Sequence, residues 1–200
     1  DGALFGYLPA QLRYRPVLFP SRCETSMTGG GARGRDTRRV SITVRLSAEG
    51  DASAELHEEL TGADAAAWRS EMRGMTASER EKAFAEMYVA RVWPGAILER
   101  FLVSHLDELE TPLEFSCALS FAEFGGAVGD VVRATLPFAR TLVRDIGGRA
   151  TRTAPAVLAS YEDETVSISL IAPEGFELST PATTGVVESK WGRAARTVVR

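Results

Sequence analysis

The segment Leu113-Glu-Phe-Ser-Cys-Ala-Leu-Ser-Phe121 constrains this chain more than any other. Leu113, Phe115, Cys117, Leu119 and Phe121 alternate strictly with Glu114, Ser116, Ala118 and Ser120. Side chains of a strand point alternately to its two faces, so this period fixes one apolar face and one polar face. The same period governs Val40, Ile42, Val44 and Leu46, set against Ser41, Thr43, Arg45 and Ser47. After the turn Ala48-Glu-Gly-Asp51, Ala52, Ala54, Leu56 and Glu58 continue it as a return strand. Two such runs around a short turn predict an antiparallel hairpin.

Between these strands the period changes. Thr61 is placed to cap a helix over about 62–73, with Ala65, Trp68 and Met72 on one face and Gly74 as its stop. Thr76-Ala-Ser-Glu79 reads as a capping box, because a Thr and a Glu three residues apart can satisfy each other's free backbone N–H. It opens a second helix over about 77–92 with Phe84, Met87, Tyr88 and Val92 as its stripe, ended by Pro94-Gly95. Single-striped helices must bury those stripes, and the flanking strands are the available surface.

Further strands are expected at Leu98–Leu106, at Val128–Leu136 after a Gly125-Gly126 turn, and at Val166–Leu170. Gly185–Trp191 and Ala194–Val199 read as a last hairpin around Gly192. The segment 138–160 is ambiguous, with Leu142, Val143 and Ile146 suggesting one short element. The sum is eight to ten mostly antiparallel strands with an inserted pair of helices. The expected class is α+β: a mostly antiparallel β-sandwich or curved sheet. Residues 1–36 read as an arm and Gly-rich linker, and 37–200 as the β-rich domain. Within the arm, Arg15–Phe19 is expected to add a strand to the sheet edge, its apolar load being unfavourable in water.

Composition narrows function mostly by exclusion. A net charge of −4 argues against a nucleic-acid surface. The arginines at Arg33, Arg35, Arg38 and Arg39, and at Arg140, Arg144, Arg149 and Arg152, read as solvated loops and strand faces. No apolar run approaches the roughly 18 residues of a membrane span. Thr28–Asp36 is glycine-rich but lacks Gly-Lys-Ser/Thr and precedes a strand, so it reads as a linker rather than a phosphate loop. His57-Glu58-Glu59-Leu60-Thr61 has Thr where a zincin helix needs its second His. His105 lies beside Asp107 and Glu108, but neighbours on a strand face opposite ways, so a surface histidine is expected. The acidic runs 107–110 and 162–164 read as solvated turns, and Trp68, Trp93 and Trp191 as packing residues. Cys23 and Cys117 fit no metal spacing and fix no redox compartment. No catalytic, cofactor or metal residue is assigned.

The chain opens on Asp1-Gly-Ala-Leu-Phe-Gly-Tyr-Leu-Pro9 and closes on Ala195–Arg200 without entry or exit signals, which reads as a fragment of a longer protein. Phe5-Gly-Tyr-Leu-Pro9, then Gln11-Leu12-Arg13 and an apolar strand, resembles the segment closing the transglutaminase-like domain of large bacterial proteins. Those proteins carry an N-terminal domain of the DUF3857 type, a transglutaminase-like core and a C-terminal β-rich region. The strand pair, the helices ending near Pro94-Gly95, the strand leading into Asp107–Pro112 and Ala172-Pro-Glu-Gly-Phe176 are similar to that last region. The resemblance implies a Cys-His-Asp acyl-transfer site whose Cys and His fall outside this sequence; Asp1 cannot be aligned to the third member. It further implies a non-catalytic accessory or interaction domain whose partner is the preceding core, with other proteins as candidate partners and no cofactor. A small-ligand or lipid-binding β module is the alternative, since a sheet covered by helices can enclose an apolar cavity.

Overall fold

The computed structural model describes residues 3–9, 12–30, 36–135, 162–179, 184–189 and 192–199. Expectations for 138–160, for Gly31–Arg35 and for Trp191 lie outside that set.

In chain order the strands begin with β1 (Pro16–Phe19), β2 (Glu24–Met27), β3 (Asp36–Leu46) and β4 (Ala52–Leu60). The helices α1 (Gly62–Met72) and α2 (Ala77–Phe84) follow, and α2 runs on through a π turn (Ala85–Val89) to Val92. Then come β5 (Ala96–Ser104), β6 (Leu113–Phe121), β7 (Gly125–Val128), β8 (Val131–Ala134) and β9 (Glu162–Ile171). A final pair, β10 (Gly185–Ser189) and β11 (Gly192–Arg196), closes the described chain.

The body is one five-stranded sheet in the order β5-β6-β4-β3-β9. Pairs β3–β4, β4–β6 and β5–β6 are antiparallel, whereas β3 and β9 run parallel, with Val40 opposite Val166 and Ile42 opposite Ile168. The α+β, mostly antiparallel reading therefore holds, and the helices are where the two periodicities put them. Among the described residues the body is a single sheet with helices on one face.

That face carries the core. Val40, Ile42 and Val44 from β3, Ala54, Leu56 and Leu60 from β4, and the odd positions Leu113 to Phe121 of β6 are all buried. Phe84 of α2 is 0 % exposed. It stacks on Tyr88 and on Phe101 with ring centroids 4.8 and 4.2 Å away, and lies 5.2 Å from Phe115. Trp68 of α1 meets Phe115 edge-on at 5.3 Å, and Trp93 meets Phe121 at 5.4 Å.

Helix ends follow the sequence chemistry with one exception. The Thr76–Glu79 capping box forms, Thr76 N donating to Glu79 Oε2 at 2.7 Å and Glu79 N to Thr76 Oγ1 at 3.3 Å. Gly74 and Gly95, at φ of 86°, take the left-handed backbone that follows each helix. The exception is Thr61, whose hydroxyl does not cap α1: it accepts from Thr37 N, and Ala63 N donates instead to Asp36 Oδ1. The stripe of α2 also departs from expectation. Met87 is 44 % exposed, and the buried set is Phe84, Tyr88, Val89 and Trp93. A π turn inserts one extra residue, so positions beyond it move one place along the helix face.

Three further differences concern strands. Arg15–Phe19 does not join the main sheet: β1 pairs with β2, Phe19 opposite Glu24, in its own hairpin. Gly125-Gly126 is not a turn but the start of β7, which pairs with β8 around Gly129-Asp130. The acidic run 162–164 is the beginning of β9 rather than a loop.

Replacing Phe84 by Ala should remove about 3–5 kcal/mol of stability, since four rings (Trp68, Tyr88, Phe101 and Phe115) lose their common neighbour. Chemical denaturation of Phe84→Ala measures it; a loss within about 0.5 kcal/mol, typical of surface positions, would contradict the packing.

Candidate functional site

Polar side chains converge at one end of the sheet, where the helices, the N-terminal arm and β9 meet. The centre is Glu58 of β4, which occupies a core-facing position and is 1 % exposed. Arg38 of β3, two strand positions from Val40 on the same face, donates Nε–H to Glu58 Oε1 at 2.6 Å. Tyr88, carried there by the π turn, donates its hydroxyl hydrogen to Glu58 Oε2 at 2.6 Å and accepts from Arg38 Nη2 at 2.9 Å. Arg38 Nη1 reaches Glu164 Oε1 of β9 at 3.3 Å. Burial works against the Arg38 charge, yet the hydrogen bond and charge of Glu58 outweigh it and hold the guanidinium protonated. Burial, reinforced by the Glu58 charge, pushes the Tyr88 phenol well above its ordinary value. Arg38 is thus not the solvated arginine its clustering suggested, and Glu164 does not sit in a free turn; Arg39, beside it, is exposed as expected.

A second hub lies two residues back along β3 at Asp36, itself buried. Its carboxylate accepts from Tyr7 Oη at 2.6 Å, Arg13 Nη2 at 3.1 Å and Ala63 N at 3.0 Å. One residue therefore caps α1 and ties the N-terminal arm to the sheet. Burial alone would raise the Asp36 carboxyl, but these three donors together hold it below the usual carboxylate range. A third anchor is Arg69 of α1, buried, whose guanidinium donates to the carbonyls of His105, Glu108 and Thr111.

The two histidines occupy different surroundings. His57 lies on the open face of β4, its Nδ1 3.1 Å from Ser116 Oγ of β6 and its Nε2 3.7 Å from Glu59. Ser, His and Glu here have the composition of a nucleophilic triad but not its geometry. Glu59 is beyond hydrogen-bond range, and β4 and β6 are paired on both sides, so their backbone N–H groups are committed to the sheet rather than free for an oxyanion. His105 departs from the strand-neighbour argument. Its φ of 61° takes it off β5, and its Nδ1 meets Glu108 Oε2 at 2.8 Å with Glu114 3.9 Å from Nε2. The pairing that strand spacing argues against forms because the chain has already turned. No cluster of three or more His, Cys, Asp or Glu suited to a metal occurs among the described residues.

The cysteines are both free. Cys117 is buried on the core face, where burial pushes its thiol up to about 12 and removes nucleophilic character at neutral pH. Cys23 is exposed in the β1–β2 turn. No described helix is long and apolar enough to cross a membrane.

Comparison with known proteins finds no matching family model, no matching curated protein and no matching solved structure.

The Asp36 hub has a defined pH signature. Its carboxyl is lowered in the folded state, so its contribution is fully present above the unfolded value of about 3.9 and is lost as pH falls through the folded one. Asp36→Asn should destabilise the protein near neutral pH by about 1–3 kcal/mol, and the gap to the parent chain should shrink below about pH 4. Denaturation midpoints across pH 2.5–7 (roughly) measure this; a gap independent of pH would contradict it.

Proposed function

We propose that this chain is a non-catalytic accessory domain that follows a transglutaminase-like core in a larger bacterial protein and acts through protein contact. The reading rests on the resemblance carried by Phe5–Pro9, Gln11–Arg13 and Ala172–Phe176, and on one structural observation. The space between helices and sheet, where a ligand would sit, is filled by the rings of Phe84, Phe101, Phe115 and Trp68 in mutual contact. Phe121 packs on Trp93 and Phe124, and Met87 faces outward rather than into the interior. An enclosed lipid or small apolar ligand would have to displace those rings. The buried charged side chains, meanwhile, are engaged with one another or with backbone carbonyls and hold elements together.

Two measurements on the purified chain test the reading. Titration against the upstream core domain, supplied separately, should give saturable binding with no transglutaminase, amidase or esterase turnover by the chain itself. Turnover abolished by Cys23→Ala or Cys117→Ala would overturn it. Stoichiometric uptake of a fluorescent fatty acid, lost on enlarging Phe101→Trp, would favour the ligand-binding alternative instead.

A further inference from the structure

The outer edge of β5 carries the most informative unexplained surface. Among the described residues no strand pairs with that side of the sheet. The core-facing residues Leu98, Phe101 and Val103 are only half-buried there, although Leu113, Phe115, Cys117 and Leu119 on the next strand are buried. On the opposite face Ile97 and Leu102 are 61 % and 60 % exposed. Apolar surface therefore reaches the edge on both faces, with Glu99 and Arg100 between.

The strand also contains a bulge. Leu98 lies opposite Leu119 and Arg100 opposite Ala118, so Glu99 is the additional residue. Glu99 accepts a hydrogen bond from Ser120 Oγ at 2.5 Å and so shares the open face with Arg100, whose Nη2 contacts Glu55 at 3.2 Å. In a regular strand, residues an odd number apart face opposite ways. Here the extra residue resets the alternation at the midpoint. Ile97 and Leu102 share the open face, and Leu98 and Phe101 share the core face.

From this we infer that β5 is a self-association edge, pairing antiparallel with β5 of a second copy about a two-fold axis between Glu99 and Arg100. Opposed residues of an antiparallel pair lie on the same face. In this register Ile97 meets the partner's Leu102, Leu98 the partner's Phe101, Ala96 the partner's Val103, and Glu99 the partner's Arg100. Each pair matches in face, and the central pair matches in charge. Sliding the register by two residues sets Leu98 against the partner's Glu99, or Phe101 against the partner's Arg100. Centring it on a single residue sets core side chains against open-face ones throughout. Bulges and charges guard edges against indiscriminate pairing; this pair of charges admits its own copy, and the contact is isologous and closed. The inference does not depend on the accessory-domain reading.

Sedimentation equilibrium of the full chain tests it. The wild type should approach twice 21.6 kDa as concentration rises. Glu99→Arg and Arg100→Glu should each weaken the dimer about tenfold or more, because symmetry makes every reversal act twice. The double swap, Glu99→Arg with Arg100→Glu, should restore it, and Leu102→Asp should dissociate it. All these positions are exposed, and circular dichroism checks that the variants stay folded. A monomer at hundreds of micromolar, a dimer indifferent to single reversals, or a double swap that fails to restore association would overturn the inference. Amide protection along β5 in a monomer would instead point to a segment of the same chain on that edge, with the same consequence.

Discussion

The Glu58 carboxylate is the constraint around which the rest is arranged. It lies on the line of β4 that otherwise carries only Ala and Leu, and both its oxygens are engaged. A lone buried carboxylate costs several kcal/mol, so the site is tolerable only with Arg38 and Tyr88 both in place. Three separate parts of the chain must then agree. β3 and β4 must pair so that Arg38, opposite Leu60, reaches along the face to Glu58; α2 must carry its π turn so that Tyr88 arrives; and β9 must align in parallel so that Glu164 takes the remaining arm of Arg38. An apolar core would accept several neighbouring helix positions. A charge-paired one accepts few, and here it fixes helix against sheet.

Much of the fold is legible in the sequence because two periods are written into it without ambiguity. Alternation from Leu113 to Phe121 and from Val40 to Leu46, and the Thr76–Glu79 box, are local signals, and each yields its element at close to the expected bounds. What failed to be legible is non-local. The parallel β3–β9 pairing joins residues more than a hundred positions apart, and no local pattern encodes which edge a late strand will choose. The π turn is invisible to a helical-wheel argument that assumes 3.6 residues throughout, which is why that argument places Met87 inward and leaves Trp93 off the stripe. Arg15–Phe19 found a partner closer at hand in Glu24–Met27, with the Cys23 turn between them.

The polar hubs were partly written in the sequence. Glu58 stood at an apolar position of its strand, which is the available sign that a buried charge needs a partner. Nothing local pointed to Arg38 as that partner, because an arginine in a run of arginines reads as solvated. Asp36 reads in the sequence as the end of a linker, yet it caps α1 and receives Tyr7 and Arg13. These pairings account for the buried charged groups among the described residues: their hydrogen-bonding capacity is spent on joining elements. Among the described residues, the polar face of the sheet and its β5 edge are open to a partner.

The dependence of the fold on Glu58 is tested most directly by a double-mutant cycle with Arg38, read by chemical denaturation. Arg38→Met should cost about 3–5 kcal/mol, because it leaves the Glu58 carboxylate buried without a cation, and Glu58→Leu should cost less, because Arg38 keeps Glu164. The double variant should cost far less than their sum, since no fully buried charge is stranded. Single losses within about 0.5 kcal/mol, or costs that simply add, would contradict the claim that this pair holds the structure together.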